Sequence, residues 1–237
     1  MDNYLTLLSF GDQGWSDEIA WGVLITVSLA LATLPIGLFI GFMIALGKQS
    51  EEWTVRLSAE IYTTIFRGLP ELLTLFIVYY GLQIGIQMLL KLLGFDGAVE
   101  INSFMAGAMS LALVFSSYAS EVFLSAFRAI PKGQYEGGYA LGLRRGTVMR
   151  MVVLPQLIRI ALPGLGNLWM ILLKDTALVS AIGLTDILRQ TGVAARVSKE
   201  AFLFFGIAFL LYLALALISS VALNRIEAYG KRGEQSR

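Results

Sequence analysis

The sequence predicts an all-α integral membrane protein with five transmembrane helices in a single domain. Three observations carry this expectation. Apolar residues make up 57% of the 237 positions and charged ones only 15%, more apolar surface than a water-soluble core of this size needs. The apolar residues fall in runs longer than the roughly 20 that a helix needs to cross a bilayer. The charges gather between those runs. Cysteine and histidine are both absent, which removes a disulfide framework, a thiolate metal site and the commonest general base. The net charge is +1 and the basic residues are scattered through loops, so there is no footprint for nucleic acid.

Taken in order, the first 18 residues hold Asp12, Asp17 and Glu18 but no Lys or Arg, unlike the n-region of a signal peptide. Residues 19–47 carry no charge and form the first expected span, with a bend at Pro35 and Gly37. Residues 60–90 form the second, interrupted near its start by Arg67-Gly68-Leu69-Pro70-Glu71. Residues 101–127 form the third, uncharged except for Glu121. The fourth, 159–185, is apolar to Leu173, broken by Lys174 and Asp175, and apolar again through Ala181. Neither half is long enough alone, so it reads as one crossing with a polar break, followed by a loop to about Glu200. Residues 201–223 form the fifth span, and a solvated basic tail starts at Asn224.

Five spans put the termini on opposite sides of the membrane. One side collects thirteen Lys and Arg, six of them from Arg128 to Arg159, and the other side five. By the positive-inside rule the side with thirteen, which includes the C-terminus, is cytoplasmic and the N-terminus is periplasmic.

The stretch 130–158 is the long polar interval of the chain. Its spacing is particular: Glu136, then Gly142 six residues on, then Val152, Leu154 and Pro155. It reads as two short helices around a turn, although Gly137 and Gly138 each cost roughly 1 kcal/mol of helix propensity relative to Ala. Gly142 is placed to end the first helix in a left-handed conformation, and Pro155 to bend or restart the second. The paired glycines leave a small-residue face against which another surface could pack.

Charge at membrane depth is costly and marks function or a structural pair. Glu71, Glu121, Lys174 and Asp175 qualify. Adjacent residues on a helix point about 100° apart, so Lys174 and Asp175 are not a natural pair with each other. They are structural partners at a helix break, or they meet a substrate's carboxylate and ammonium in a polar cavity. Glu71 either pairs with Arg67, four residues earlier, or lines a route for a cation. Glu121 either joins helix ends or lines the same route. No G-x-x-x-x-G-K-[ST] pattern occurs, so no P-loop is expected here.

The spacing Glu136…Gly142…Val152-x-Leu154-Pro155 resembles the EAA loop of the membrane subunits of bacterial ABC importers, with Gly137 and Gly138 in place of two alanines and Val152 in place of an isoleucine. Further stretches resemble the polar-amino-acid permease family, most of all its arginine, histidine and opine subunits. They are Tyr62-Thr63-Thr64, Arg67 to Leu72, Ala129 to Gln134, Leu162 to Asn167, and Leu173 to Ser180. The resemblance implies a type I importer permease fold in the bacterial inner membrane, with a cytoplasmic coupling helix. Glu136, Gly137, Gly138, Gly142, Leu154 and Pro155 would then couple to the ATPase. Glu71, Glu121, Lys174, Asp175 and Ser180 are the candidates for the substrate path. The implied partners are a second homologous permease subunit, two ATPase subunits carrying the ATP and Mg, and a periplasmic binding protein. The chain itself would hold no cofactor and catalyse nothing, and the cargo would be a basic amino acid or an opine. A proton-coupled secondary transporter is the alternative. It uses the membrane charges but leaves the polar loop unexplained and lacks an inverted repeat.

Overall fold

The computed structural model describes residues 2–11, 14–94 and 102–231, and among them every regular element is helical. A short α1 (Asp2–Leu7) leads into α2 (Ser16–Lys48), which is followed by α3 (Trp53–Gly68) and α4 (Glu71–Leu92). Then come α5 (Ser103–Ala129) and the nine-residue α6 (Lys132–Ala140). One rod follows, made of α7 (Arg145–Val148), a π-helical turn (Met149–Val153) and α8 (Leu154–Asp175), and it tightens into a 3₁₀ segment at Thr176–Ile182. The chain continues through α9 (Ile187–Ser198) and α10 (Ala201–Lys231). Among the described residues, five stretches are long and apolar enough to cross a membrane: Ser16–Lys48, Glu71–Leu92, Ser103–Ala129, Arg145–Ile182 and Ala201–Tyr229. This is the five-span architecture that the sequence predicts.

Helix α5 is the axis of the fold. It packs against α2, α3, α4 and α8, and most of its residues are buried, whereas α4 and α10 are largely exposed. Its composition explains the position. Small residues let neighbouring backbones approach, as membrane helix interfaces require. Three of its buried serines bond within the helix: Ser116 donates to the Leu113 carbonyl at 2.8 Å, Ser117 to Val114 at 2.6 Å and Ser120 to Ser117 at 2.7 Å. On α2 the matching residues are Gly37 and Gly41, which leave room for Phe115 and for Ala119 and Ser116.

The structure departs from the sequence reading at five places. The second span is not one helix over 60–90: α3 ends at Gly68 and α4 begins at Glu71. Pro70 has no N–H and forces Leu69 into an extended conformation (φ −92°, ψ 145°), so the interruption becomes a full break and the crossing starts at Glu71. The fourth helix does not start at 159. It starts at Arg145, so the second half of the 130–158 interval belongs to the rod and not to a loop. Pro155 sits in the first turn of α8, where its missing N–H costs least, and Leu154 donates instead to Met149, which produces the π turn. The fourth span's far end is 3₁₀ and stops at Ile182. The expected loop to Glu200 contains α9, and the expected tail from Asn224 continues α10 to Lys231. The C-termini of α2, α5 and α10 lie at the end of the molecule that carries α6, the elbow end.

Candidate functional site

The elbow is built from α6, the turn after it and the start of the rod. Gly142 adopts φ +75°, and the helix ends in the two bonds of a Schellman motif, Leu143 N–H to the Gly138 carbonyl at 3.2 Å and Gly142 N–H to Tyr139 at 2.9 Å. Gln156 Nε2 donates to Gln134 Oε1 at 3.1 Å and ties the two limbs together. The residues singled out from the sequence divide here. Glu136, Gly137, Gly142 and Pro155 are exposed, Leu154 is half-buried in the core and Gly138 is buried. Gly137 has open space around it, but Gly138 faces Val148 of its own chain, so the paired glycines do not form one outward face. Sequence reasoning missed Tyr139 and Leu141, large apolar residues left 46% and 80% exposed beside Glu136. Their signal was their size, Tyr139 within a short helix of mostly small and polar residues and Leu141 directly after it. An apolar patch of this kind, next to one carboxylate, suits docking to another protein.

The membrane-depth charges separate into two groups. Glu71, in the first turn of α4, and Asp175, at the end of α8, line one small cavity of about 20 Å³. Its other walls are mostly apolar, among them Leu111, Phe115, Tyr118 and Leu172. Pro70 places Glu71 there by starting a new helix, and the rod's change from α to 3₁₀ geometry places Asp175. Lys174 points away, is exposed, and forms no ion pair among the described residues. Ser180 lies further along the 3₁₀ segment, outside this cavity, and its carbonyl accepts from Arg189 Nη1 at 3.2 Å.

The second group surrounds Glu121. Lys48 Nζ, at the last residue of α2, lies 2.5 Å from Glu121 Oε1, and Arg67 Nη1, in the last turn of α3, lies 3.2 Å from the same oxygen. One carboxylate on α5 therefore joins the ends of two other helices. The Arg67–Glu71 pair allowed by spacing does not form, because the break at Pro70 turns Arg67 toward α5. These groups open onto a wider cavity of about 640 Å³, also lined by Glu60, Thr63, Thr64 and Tyr118.

Five crossings with α5 as the buried one, charge-bearing cavities along that helix and an exposed elbow at one end define a multi-pass membrane transport component. The chain belongs to the family described as the binding-protein-dependent transport system inner membrane component, which matches residues 14–228. Among its relatives, it is 38% identical over 98% of its length to the nopaline transport system permease protein NocQ of Agrobacterium fabrum, covering 99% of that protein. It is 37% identical to the histidine/lysine/arginine/ornithine transport system permease protein HisQ of Escherichia coli, over 90% of this chain and 93% of that one. A crystal structure of an amino acid ABC transporter with histidines superposes with a TM-score of 0.76 at 31% identity, over 91% of this chain and 95% of the other. The inward-facing MetNI methionine transporter, at 16% identity and a TM-score of 0.70, shares the fold. The type I importer permease fold expected from the sequence is therefore the one found, and the chain is a permease subunit of an ABC importer in the inner membrane. Membership implies ATPase and binding-protein partners.

Proposed function

We propose that this chain forms half of the membrane pathway of an ATP-driven importer for a basic amino acid or an amino-acid-derived opine. The observation that carries the reading is the meeting of Glu71 and Asp175 on one largely apolar cavity. Two carboxylates in a low-dielectric setting repel each other and attract a cation far more strongly than they would in water. The cavity as it stands has room for about one water, so a guanidinium or ammonium satisfies both once α4 and the rod move apart to admit it. The names of the relatives, which carry nopaline, octopine, histidine, lysine, arginine and ornithine, support the same cargo class. Lys174, exposed beside Asp175, and Ser180 remain candidates for the wall completed by a partner.

The elbow is the coupling element. Glu136, Gly137 and Gly142, with Tyr139 and Leu141 beside them, dock on an ATPase subunit, while Gly138, Leu154 and Pro155 hold the limbs of the elbow in register. The excess of Lys and Arg at this end supports a cytoplasmic elbow and C-terminus and a periplasmic N-terminus. The partner across the pathway is a second, homologous permease subunit in a heterodimer. Two ATPases carry the ATP and Mg, and a periplasmic binding protein delivers the substrate. The permease forms and breaks no covalent bond. ATP-driven closure of the ATPase pair moves the elbows, and the rigid rod from Arg145 to Ile182 transmits that movement to the end bearing Asp175.

The test is arginine uptake and ATP hydrolysis by the complete complex in proteoliposomes. Wild type should take up arginine only with ATP, and Glu136→Lys should abolish uptake by reversing the charge at the docking face. Full uptake without any ATPase overturns the reading.

A further inference from the structure

Tyr118 lines both cavities. Along α5 the Glu71–Asp175 cavity spans Leu111 to Tyr118, and the wider one spans Tyr118 to Glu121, so this ring stands at their boundary. The guanidinium carbon of Arg67 lies 5.6 Å from the centre of the Tyr118 ring, within the range of a cation–π contact. The same guanidinium reaches Glu121 Oε1 at 3.2 Å, and Glu121, one turn beyond Tyr118, is held in turn by Lys48. Tyr118 and Glu121 belong to α5, Arg67 to α3 and Lys48 to α2. A side chain of α3 therefore lies over a ring of α5 and is tied down by a carboxylate of α5.

We propose that Tyr118 is the gate between the two cavities and that Arg67, tethered to Glu121, is the bolt that holds it closed. The proposal rests on the cationic-cargo reading above. A guanidinium or ammonium leaving Glu71 and Asp175 toward the elbow end meets the two partners that Arg67 already occupies, the π face of Tyr118 and the carboxylate of Glu121. It exchanges for Arg67 like for like and frees the ring. A neutral amino acid side chain offers no such exchange. The gate thus adds selectivity for cations at the exit, separate from that of the cavity itself. Glu60, which lines the same vestibule and forms no ion pair among the described residues, is available to receive the displaced Arg67.

The test uses the complete complex in proteoliposomes preloaded with arginine or glutamine, and measures efflux without ATP beside ATP-driven uptake. Removing the bolt by Arg67→Gln or by Glu121→Gln should raise the leak of both amino acids roughly tenfold, about the factor set by one charge-assisted hydrogen bond. Tyr118→Ala should do the same, and Tyr118→Phe, which keeps the ring, should restore a low leak. A purely structural role would lower assembly or uptake without opening a leak. Arg67→Gln and Glu121→Gln act on the two sides of one contact, so either variant that assembles decides the matter. Wild-type leak in an assembled complex of either one overturns the gate. Absence of ATP-driven arginine uptake in wild type would instead sink the proposed function, so the two failures are distinguishable.

Discussion

A Cβ placed on Gly138 would stand 2.8 Å from Cγ2 of Val148 and 3.1 Å from its Cγ1. The two limbs of the elbow meet at the one position of α6 that is buried, and Val148 is 1% exposed. Val148 is β-branched and lies within a helix, so it has no second rotamer to retreat to. Gly138→Ala should therefore cost about 1–3 kcal/mol by overpacking, against about 1 kcal/mol of helix propensity regained. Gly137 meets nothing within 4 Å. Gly137→Ala should stabilise the elbow by about 0.5–1 kcal/mol. Thermal unfolding of the purified complex checks the pair, with co-purification of the ATPase as a second readout. Equal melting temperatures for the two variants would remove the claim that these neighbours differ.

The same close approach holds the membrane core together. A Cβ on Gly41 would lie 2.9 Å from both the Ala119 Cβ and the Ser116 carbonyl oxygen. Backbone cannot move aside, so a side chain there separates α2 from α5. Gly41→Ala should destabilise by about 1–3 kcal/mol, and Gly41→Leu should abolish assembly. Gly47→Ala is the control, since its new Cβ would meet Ala59 at an ordinary 3.4 Å. Monodisperse yield in detergent separates the three.

The spans were legible because each is a long run of apolar residues, and hydropathy needs no tertiary information. Gly142 was legible too, because a left-handed turn after a short helix favours glycine. Helix α9 was not. Ile187–Ser198 carries Arg189 and Arg196, and its buried face is made of Ile187, Thr191, Gly192, Ala194 and Ala195, mostly small or polar residues with little hydropathic contrast. Asp186 directly before Ile187 was the available signal, an N-cap of the usual kind. The fate of Arg67 was hidden for another reason. Spacing offers Glu71, but the partner it finds is Glu121, 54 positions away, and only the break at Pro70 makes that choice.

Asp186 itself carries a prediction. It is fully buried, and its carboxylate accepts from the N–H groups of Leu188 at 3.3 Å and Arg189 at 3.0 Å. Its backbone carbonyl lies where a Cβ on Gly22 would come within 2.9 Å. Ile187 N–H donates to Thr26 Oγ1 at 3.3 Å, so this junction pins α9 to α2. Removal of the cap in Asp186→Ala should cost about 0.5–2 kcal/mol, while Asp186→Asn keeps an acceptor and should cost less. Burial raises the carboxyl from 3.8 to about 6, partly offset by those N–H groups. The folded protein thus holds this proton more tightly than the unfolded chain. The associated stability is complete below about pH 3.8 and is lost as pH rises through about 6. Wild type should lose melting temperature across that window relative to Asp186→Asn. A parallel pair of curves would show that Asp186 does not titrate there.

The cavity charges make the sharpest test of cargo. If Glu71 and Asp175 receive a cation, neutralising either should weaken handling of a positively charged amino acid and spare a neutral one. Steric change alone would affect both, because the surrounding walls, including Leu111, Phe115 and Leu172, contact any side chain that enters. Glu71→Leu and Asp175→Asn should each lower arginine uptake roughly tenfold, the factor that about 1.4 kcal/mol of lost attraction produces. Glutamine uptake, measured with the same complex and a binding protein that delivers both, should change far less. The double variant should not be additive, since the first substitution already relieves the repulsion between the two carboxylates. Equal losses for arginine and glutamine in both variants would show that these carboxylates shape the cavity without selecting its charge.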